Sequence, residues 1–178
     1  MKDDIICRAA SRVDADKLAV LIHDLAAYHG DVATVTPDQL RKHGFGSKRR
    51  YHAVVAEISE EIIGYALFYV IFNAIYSMVI IDLHHLYVEQ SCRRGGVGRA
   101  LLAEVAKWAD DEGCNRIRVG VKPDNASGIA FYRRVGFSEK LPNFFIDRED
   151  FSILAERPRP QIVRGAAAEE KPCGPSKN

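Results

Sequence analysis

Residues 86–102, LYVEQSCRRGGVGRALL, decide the fold of this chain. An apolar run ends there, a basic glycine-rich segment follows, and an apolar-periodic helix is predicted to begin directly after it. Within the segment, residues 93–98 have the order R-x-x-G-x-G. Glycine lets successive backbone N–H groups turn toward one ligand, and the first turn of a helix adds unpaired N–H groups at the same point. The segment therefore predicts a binding site for a phosphate-bearing ligand.

Two common nucleotide-binding loops do not fit this segment. A P-loop needs Lys followed by Ser or Thr after its last glycine, and no such pair follows Gly98, which argues against Mg-ATP. A dinucleotide-binding loop needs the spacing G-x-G-x-x-G near the start of a βαβ unit, and both the spacing and the mid-chain position differ here. An ordinary helix-starting loop with two surface arginines remains an alternative at this point.

A second segment, residues 125–137, has the order N-x-x-G-x-x-F-Y-x-x-x-G-F. Its apolar and aromatic residues recur at three- and four-residue spacing, which predicts a helix over residues 125–135. Gly136 is expected to end this helix, and Phe137 is expected to begin a strand.

The two segments together resemble the GNAT superfamily, the acetyl-CoA-dependent N-acetyltransferases. The family pattern is V-x-P-x-x-R/Q-G-x-G-x-G/A followed by N-x-x-A-x-x-[LF]-Y-x-x-x-G-F. The chain departs from it at Gln90, Arg94 and Gly128, where the family usually has proline, glycine and alanine. The positions that match are Val88, Arg93, Gly96, Gly98, Asn125, Tyr132, Gly136 and Phe137.

The remaining elements follow from local patterns. Helices are predicted over residues 14–29, 37–44 and 96–112 in addition to 125–135, and strands over residues 5–9, 51–58, 62–72, 78–88, 116–121, 137–138 and 144–146. This is the order that the resemblance implies, an α/β (α+β) GNAT fold whose mixed, mostly antiparallel sheet of about seven strands is flanked by four helices. Residues 1–156 are expected to form this domain, and residues 157–178 a flexible tail.

The composition excludes several other classes of protein. The 178 residues carry a net charge of +1, so no broad basic surface for nucleic acid is expected. The start of the chain lacks a signal-like apolar segment, and the apolar run at residues 62–81 is interrupted and rich in strand formers, so no membrane span is expected. The four cysteines show neither C-x-x-C nor zinc spacing, which favours reduced thiols, a cytoplasmic location and no metal.

Acetyl transfer to an amine needs a base, because an alkylamine with a pKa of about 10.4 is almost entirely protonated at pH 7. The family takes this base from one of two positions on the strand before the phosphate loop, which here are Asp82 and His84. The two share one strand face, with Leu83 and His85 on the other unless a bulge intervenes. Histidine has the better intrinsic pKa for this task, although a water relay with neither residue as base remains open.

The resemblance also assigns the groups that handle the cofactor. Tyr132 would be the general acid for the CoA sulfur, the N–H of Val88 the oxyanion donor, and Asn125 a ligand of pantetheine or the cap of its own helix. Residues 93–99 would contact the pyrophosphate. The full set expected to bind acetyl-CoA is Leu86, Tyr87, Val88, Arg93, Arg94, Gly95, Gly96, Val97, Gly98, Arg99, Asn125, Ala130, Tyr132 and Arg133.

Further segments resemble the diamine (spermidine/spermine) N-acetyltransferase branch, which acetylates polyamines or lysine-like amino acids and forms a homodimer. That branch usually has L-E-D on the catalytic strand, where this chain has Leu83, His84 and His85. The loop at residues 72–77 also lacks acids. We therefore expect a smaller or less cationic amine than spermidine, with Asp82, Asp31 or Asp38 able to hold one amine. A protein-lysine acetyltransferase and a non-catalytic CoA-binding module are the alternatives.

Overall fold

The structure of the protein is a computed structural model, and it describes residues 4–138. These residues contain five strands and four α-helices in the order β1-α1-α2-β2-β3-β4-α3-β5-α4, with short 3-10 helices at Arg12–Asp14 and Gln90–Cys92. The strands are β1 (Ile6–Ala9), β2 (His52–Ile58), β3 (Glu61–Asn73), β4 (Met78–Val88) and β5 (Arg116–Val119). The helices are α1 (Ala15–Tyr28), α2 (Pro37–Gly44), α3 (Val97–Asp111) and α4 (Ala126–Arg134).

The strands form one mixed sheet in the order β1-β2-β3-β4-β5. The first four strands pair antiparallel, and β4 pairs parallel with β5. Strands β2 and β3 form a hairpin, and Ser59 and Glu60 both have positive φ, as its tight turn requires. The parallel pair needs a crossover, which α3 supplies. The predicted fold class is thus confirmed.

The predicted number of about seven strands is too high for the described residues, which contain five. The strand expected at residues 137–138 is absent there, because Phe137 takes part in the turn that closes the C-terminal end of α4. Its N–H donates to the carbonyl of Tyr132 at 2.9 Å, and Gly136 has a φ of +101°. The strand expected at 144–146, the end of the predicted domain and the predicted tail lie outside the described residues.

The sheet separates two layers of buried apolar side chains. Leu18, Leu21, Leu40 and Tyr65 belong to the layer under α1 and α2. The opposite layer lies under α3 and includes Phe68, Ile81, Leu83, Leu101 and Val105. Strand residues alternate between the two layers, and so β4 presents side chains to both faces of the sheet. Among residues 4–138, no helix is long and apolar enough to cross a lipid bilayer.

Residues 36–39 determine where α2 begins. Thr36 caps α2, since its Oγ1 accepts the N–H of Gln39 at 3.3 Å. Gln39 Oε1 in turn accepts the N–H of Thr36 at 2.9 Å, and Pro37 occupies the first helical position. The two reciprocal hydrogen bonds form a capping box, which fixes the start of α2.

Candidate active site

The fourth strand changes its pairing at His84. In the register with β3, His85 lies opposite Leu67 and Leu83 lies opposite Phe68, so that His84 is the extra residue of a β-bulge. On the other edge of β4, pairing with β5 ends at Leu83 and Val119. The two parallel strands therefore separate at the bulge, and the second half of β4 borders a gap.

The peptide group of Val88 faces this gap. The N–H of the next residue, Glu89, donates to the Ile63 carbonyl of β3 at 2.9 Å. Because successive peptide groups of a strand point in opposite directions, the N–H and C=O of Val88 point away from β3. Arg93 Nε reaches the Val88 carbonyl from that side at 2.9 Å. The Val88 N–H is thus directed into the gap, as an oxyanion donor must be.

The glycine-rich segment forms a left-handed turn before α3. Arg94 and Gly96 have φ values of +67° and +94°, and Gly96 is the residue directly before the helix. Buried Val97 anchors the helix start, and the added Cβ of any residue replacing Gly98 would lie 3.3 Å from the ring of Phe131. The turn leaves the first N–H groups of α3 available to an anion. The predicted order of loop and helix is confirmed.

Arg93 holds this turn against the rest of the protein. Its guanidinium lies over the Tyr28 ring at 4.7 Å and over the Tyr87 ring at 5.6 Å. With its Nε bound to the Val88 carbonyl, any contact with pyrophosphate is left to the terminal nitrogens of the guanidinium. Arg94 and Arg99 are exposed beside the turn.

The start of α4 carries Asn125, the residue predicted to bind pantetheine or to cap its own helix. Asn125 Oδ1 accepts the N–H of Gly128 at 2.9 Å and the hydroxyl of Ser127 at 3.0 Å, so Asn125 acts as the cap of its own helix. A Cβ at position 128 would lie 2.7 Å from the Asn125 amide nitrogen. An alanine at this position would therefore require the Asn125 side chain to shift. Ala130 and Arg133 lie on the exposed part of the helix.

Tyr132 lies partly buried on α4, with its ring 5.3 Å from those of Phe131 and Phe137. Burial raises the pKa of Tyr132 to about 12, so its hydroxyl remains protonated at neutral pH. A general acid for a leaving thiolate must keep its proton until negative charge develops on sulfur. Tyr132 has this property, and its predicted role remains a prediction.

The face of β4 that lies toward α1 and α2 borders a cavity of about 390 Å³ between the sheet and these two helices. Both His84 and His85 line it, because the bulge turns His85 to the same side as His84. Their rings stack at 4.8 Å with an interplanar angle of 28°, and Tyr69 meets His84 edge to face at 5.3 Å.

His85 is the functional candidate that the sequence reasoning missed. Its Nδ1 lies 3.0 Å from the Tyr65 hydroxyl, and burial together with the neighbouring His84 and His29 lowers the pKa of His85 to about 4. It is therefore neutral at pH 7. The alternation of Tyr65, Leu67 and Tyr69 on one face of β3 was the sequence signal that an aromatic-lined cavity lay opposite.

The two candidate bases have different surroundings. His84 is exposed and lines the cavity. Asp82 lies outside the cavity lining and forms an ion pair with Arg118 at 3.0 Å. Because the Asp82 carboxylate is held by a cation, His84 has the better geometry for accepting a proton from an amine in the cavity.

The other acids expected to hold an amine are also paired. Asp31 binds Lys122 at 2.7 Å, and this contact lowers the pKa of Asp31. Asp38 binds Arg41 at 2.8 Å. Lys122 and Arg118 already supply Asp31 and Asp82 with the positive charge that a substrate ammonium would have brought, whereas Arg41 is shared between Asp38 and Asp16.

Comparison with known proteins places this architecture in a family. Residues 18–137 match the family described as "Acetyltransferase (GNAT) family". A thialysine N-epsilon-acetyltransferase of Bos taurus is 30% identical over 142 residues, which cover 74% of this chain and 83% of the relative. A spermidine/spermine N(1)-acetyltransferase-like protein 1 of Homo sapiens is 25% identical over 138 residues, covering 72% of this chain and 20% of that protein. Both names agree with the predicted diamine branch.

A solved structure confirms the fold independently. An aminoglycoside N-acetyltransferase in complex with CoA superposes with a TM-score of 0.69 at 18% identity, over 83% of this chain and 97% of that one. The family match covers the separated strands, the glycine-rich turn and the histidine-lined cavity alike. The chain thus belongs to the GNAT family of acetyl-CoA-dependent N-acetyltransferases.

Proposed function

We propose that the protein transfers the acetyl group of acetyl-CoA directly to the primary amine of a small molecule. The observation that carries this proposal is the position of β4 between two unlike sites. Its Val88 N–H points into the gap beside the glycine-rich turn, and its bulged histidines line an acceptor cavity on the sheet face under α1 and α2. An amine in the cavity and a thioester in the gap would meet at this strand.

Each group on the strand and around it has one step to perform. The turn and the first N–H groups of α3 would bind the pyrophosphate. His84 would take the proton of the attacking amine as its nitrogen forms a bond to the thioester carbon. The Val88 N–H would stabilise the negative charge on the carbonyl oxygen. As the C–S bond breaks, Tyr132 would give its proton to the sulfur.

We also propose that the protein forms a homodimer, as the diamine branch does. The end of β3 and the start of β4 extend past the last paired residue of β2. The exposed residues there are Val70, Phe72, Ile75 and Tyr76. Phe72 and Ile75 are 64% and 85% exposed. Contact with a second protomer would remove this apolar surface from water. Sedimentation velocity of the full chain tests this state.

The reaction is tested by measuring release of the CoA thiol from acetyl-CoA across a panel of amines. The panel contains polyamines, thialysine, lysine, aminoglycosides, amino sugars and simple monoamines. Wild type is expected to turn over at least one of them. Tyr132→Phe is expected to lower kcat about 100-fold, because general acid catalysis is removed while the ring packing is kept. Calorimetric binding of acetyl-CoA should be unchanged in this variant.

One outcome would contradict the proposal, and it has two possible explanations. Tight binding of acetyl-CoA without turnover on any amine would indicate a CoA-binding module or a protein substrate. Labelling of lysates with radioactive acetyl-CoA would then separate these two, since only a protein-lysine acetyltransferase transfers label to other proteins.

A further inference from the structure

Resting on the acetyl transfer proposed above, we propose that the acceptor cavity selects a monoamine whose remaining body is uncharged and apolar. Such an acceptor carries one reacting amine on an alkyl or aryl body. Linear polyamines and zwitterionic amino acids carry further charges and would be poorer acceptors.

The walls of the cavity support this class of substrate. Apolar side chains from α1, the α1–α2 loop, α2 and β3 make much of the surface, namely Ile22, Val35, Leu40 and Leu67. The rings of Tyr51 and Tyr69 add aromatic surface, and the Tyr51 hydroxyl is engaged, donating to the Leu40 carbonyl at 3.0 Å. An alkyl or aryl body buries its own surface against such walls and is stabilised by about 25 cal/mol per Å².

The polar groups of the cavity carry no fixed charge. Among the described residues that line it, none is Asp, Glu, Lys or Arg, and the polar ones besides the two tyrosines are Thr34, Gln39 and three histidines. His85 is neutral at pH 7, as argued above. A second ammonium or a carboxylate placed there would lose its hydration without gaining an opposite charge, which is unfavourable.

The three acids that could hold an amine lie outside the cavity lining, although burial, together with the charge of Asp82, raises the pKa of Tyr69. Asp31, Asp38 and Asp82 are each bound to Lys or Arg, at 2.7, 2.8 and 3.0 Å. The cavity volume of about 390 Å³ corresponds to about a dozen water molecules at about 30 Å³ each. This is room for a compact monoamine.

A matched pair of amines isolates the charge. n-Hexylamine and 1,5-diaminopentane have the same number of non-hydrogen atoms, and they differ by a terminal methyl against a second ammonium. We expect kcat/KM for n-hexylamine to exceed that for 1,5-diaminopentane about tenfold or more in wild type, with 2-phenylethylamine also accepted. An equal or better diamine would overturn the inference and leave acetyl transfer standing. No turnover on any amine would overturn the proposed function and this inference with it.

A variant then tests whether the cavity wall is the cause. Gln39→Glu adds a carboxylate to the wall and keeps the capping box, because glutamate at this position also accepts the N–H of Thr36. The preference for n-hexylamine should fall about tenfold. Lys48→Gln, on an exposed loop outside the cavity, changes the net charge by the same amount and should leave the preference unchanged. An unaltered preference in Gln39→Glu, with an unchanged thermal midpoint, would place selection elsewhere and overturn the inference.

Discussion

The two candidate sites beside β4 consist of different kinds of chemical groups. On the cofactor side, the groups offered to a ligand are backbone N–H groups, held by a turn with Gly96 at φ +94° and by the separation of β4 from β5. On the acceptor side, the groups are side chains brought from α1, α2, β3 and β4 to one cavity. The first site needs a short motif and a strand end. The second needs the whole tertiary arrangement, and so it is where relatives with a common reaction can differ in substrate.

The largest expected effect is on the acceptor side, at the base. His84→Ala should lower kcat about 100-fold, since the group that accepts the amine proton is lost. Asp82→Asn should change kcat only a few-fold, because Asp82 lies outside the cavity lining and is paired with Arg118. The measurement is kcat against pH at saturating acetyl-CoA for both variants. A larger loss in Asp82→Asn would move the base to that carboxylate, and equal small losses would indicate a water relay.

A smaller effect is expected on the stability of the acceptor side. The pKa of His85 is about 4 in the folded protein, against about 6.5 for an unperturbed histidine. Between these pH values the unfolded chain binds the proton more readily than the folded protein does. The contribution of His85 to the free energy of unfolding is therefore fully present above pH 6.5 and is lost as the pH falls toward 4. We expect a loss of about 2 kcal/mol by pH 5 from this residue.

Urea unfolding at pH 7.5 and pH 5 measures this loss. In His85→Gln the difference between the two pH values should shrink by that amount. His23→Gln removes an exposed histidine of α1 and is the control, in which the difference should persist. If His85→Gln retained the full difference, the burial of a neutral imidazole at this site would not be its source.

The smallest effect is expected at the glycine-rich turn. Gly96 and Gly113 both have positive φ, and nothing lies within 4 Å of a Cβ added to either. Alanine at either position should therefore cost about 1 kcal/mol of stability from backbone strain. Only Gly96→Ala should also raise the KM for acetyl-CoA, about tenfold, because it alone lies at the start of α3. Equal KM values in the two variants would show that the turn does not bind the cofactor.

Local chemistry made much of the fold predictable. The Thr36 capping box, the hairpin through Ser59 and Glu60, and the order of loop and helix at Gly96 each depend on a few consecutive residues. The GNAT family and its cofactor side followed from two such motifs. Phe137 was wrongly predicted as a strand residue, because the hydrogen bond from its N–H to the Tyr132 carbonyl ends a helix instead.

The acceptor side could not be derived in the same way. His85 reaches the cavity only because the register between β3 and β4 shifts at His84, and strict alternation would have placed it on the opposite face. Asp31 is neutralised by Lys122, 91 residues further along the chain, and Asp82 by Arg118, 36 residues further along. The sequence by itself determined the family, the helix caps and the glycine-rich turn before α3, because these need only neighbouring residues. Tertiary structure alone decided which histidines face the cavity and which acids are already paired, because contacts between distant residues depend on how the sheet twists, bulges and packs.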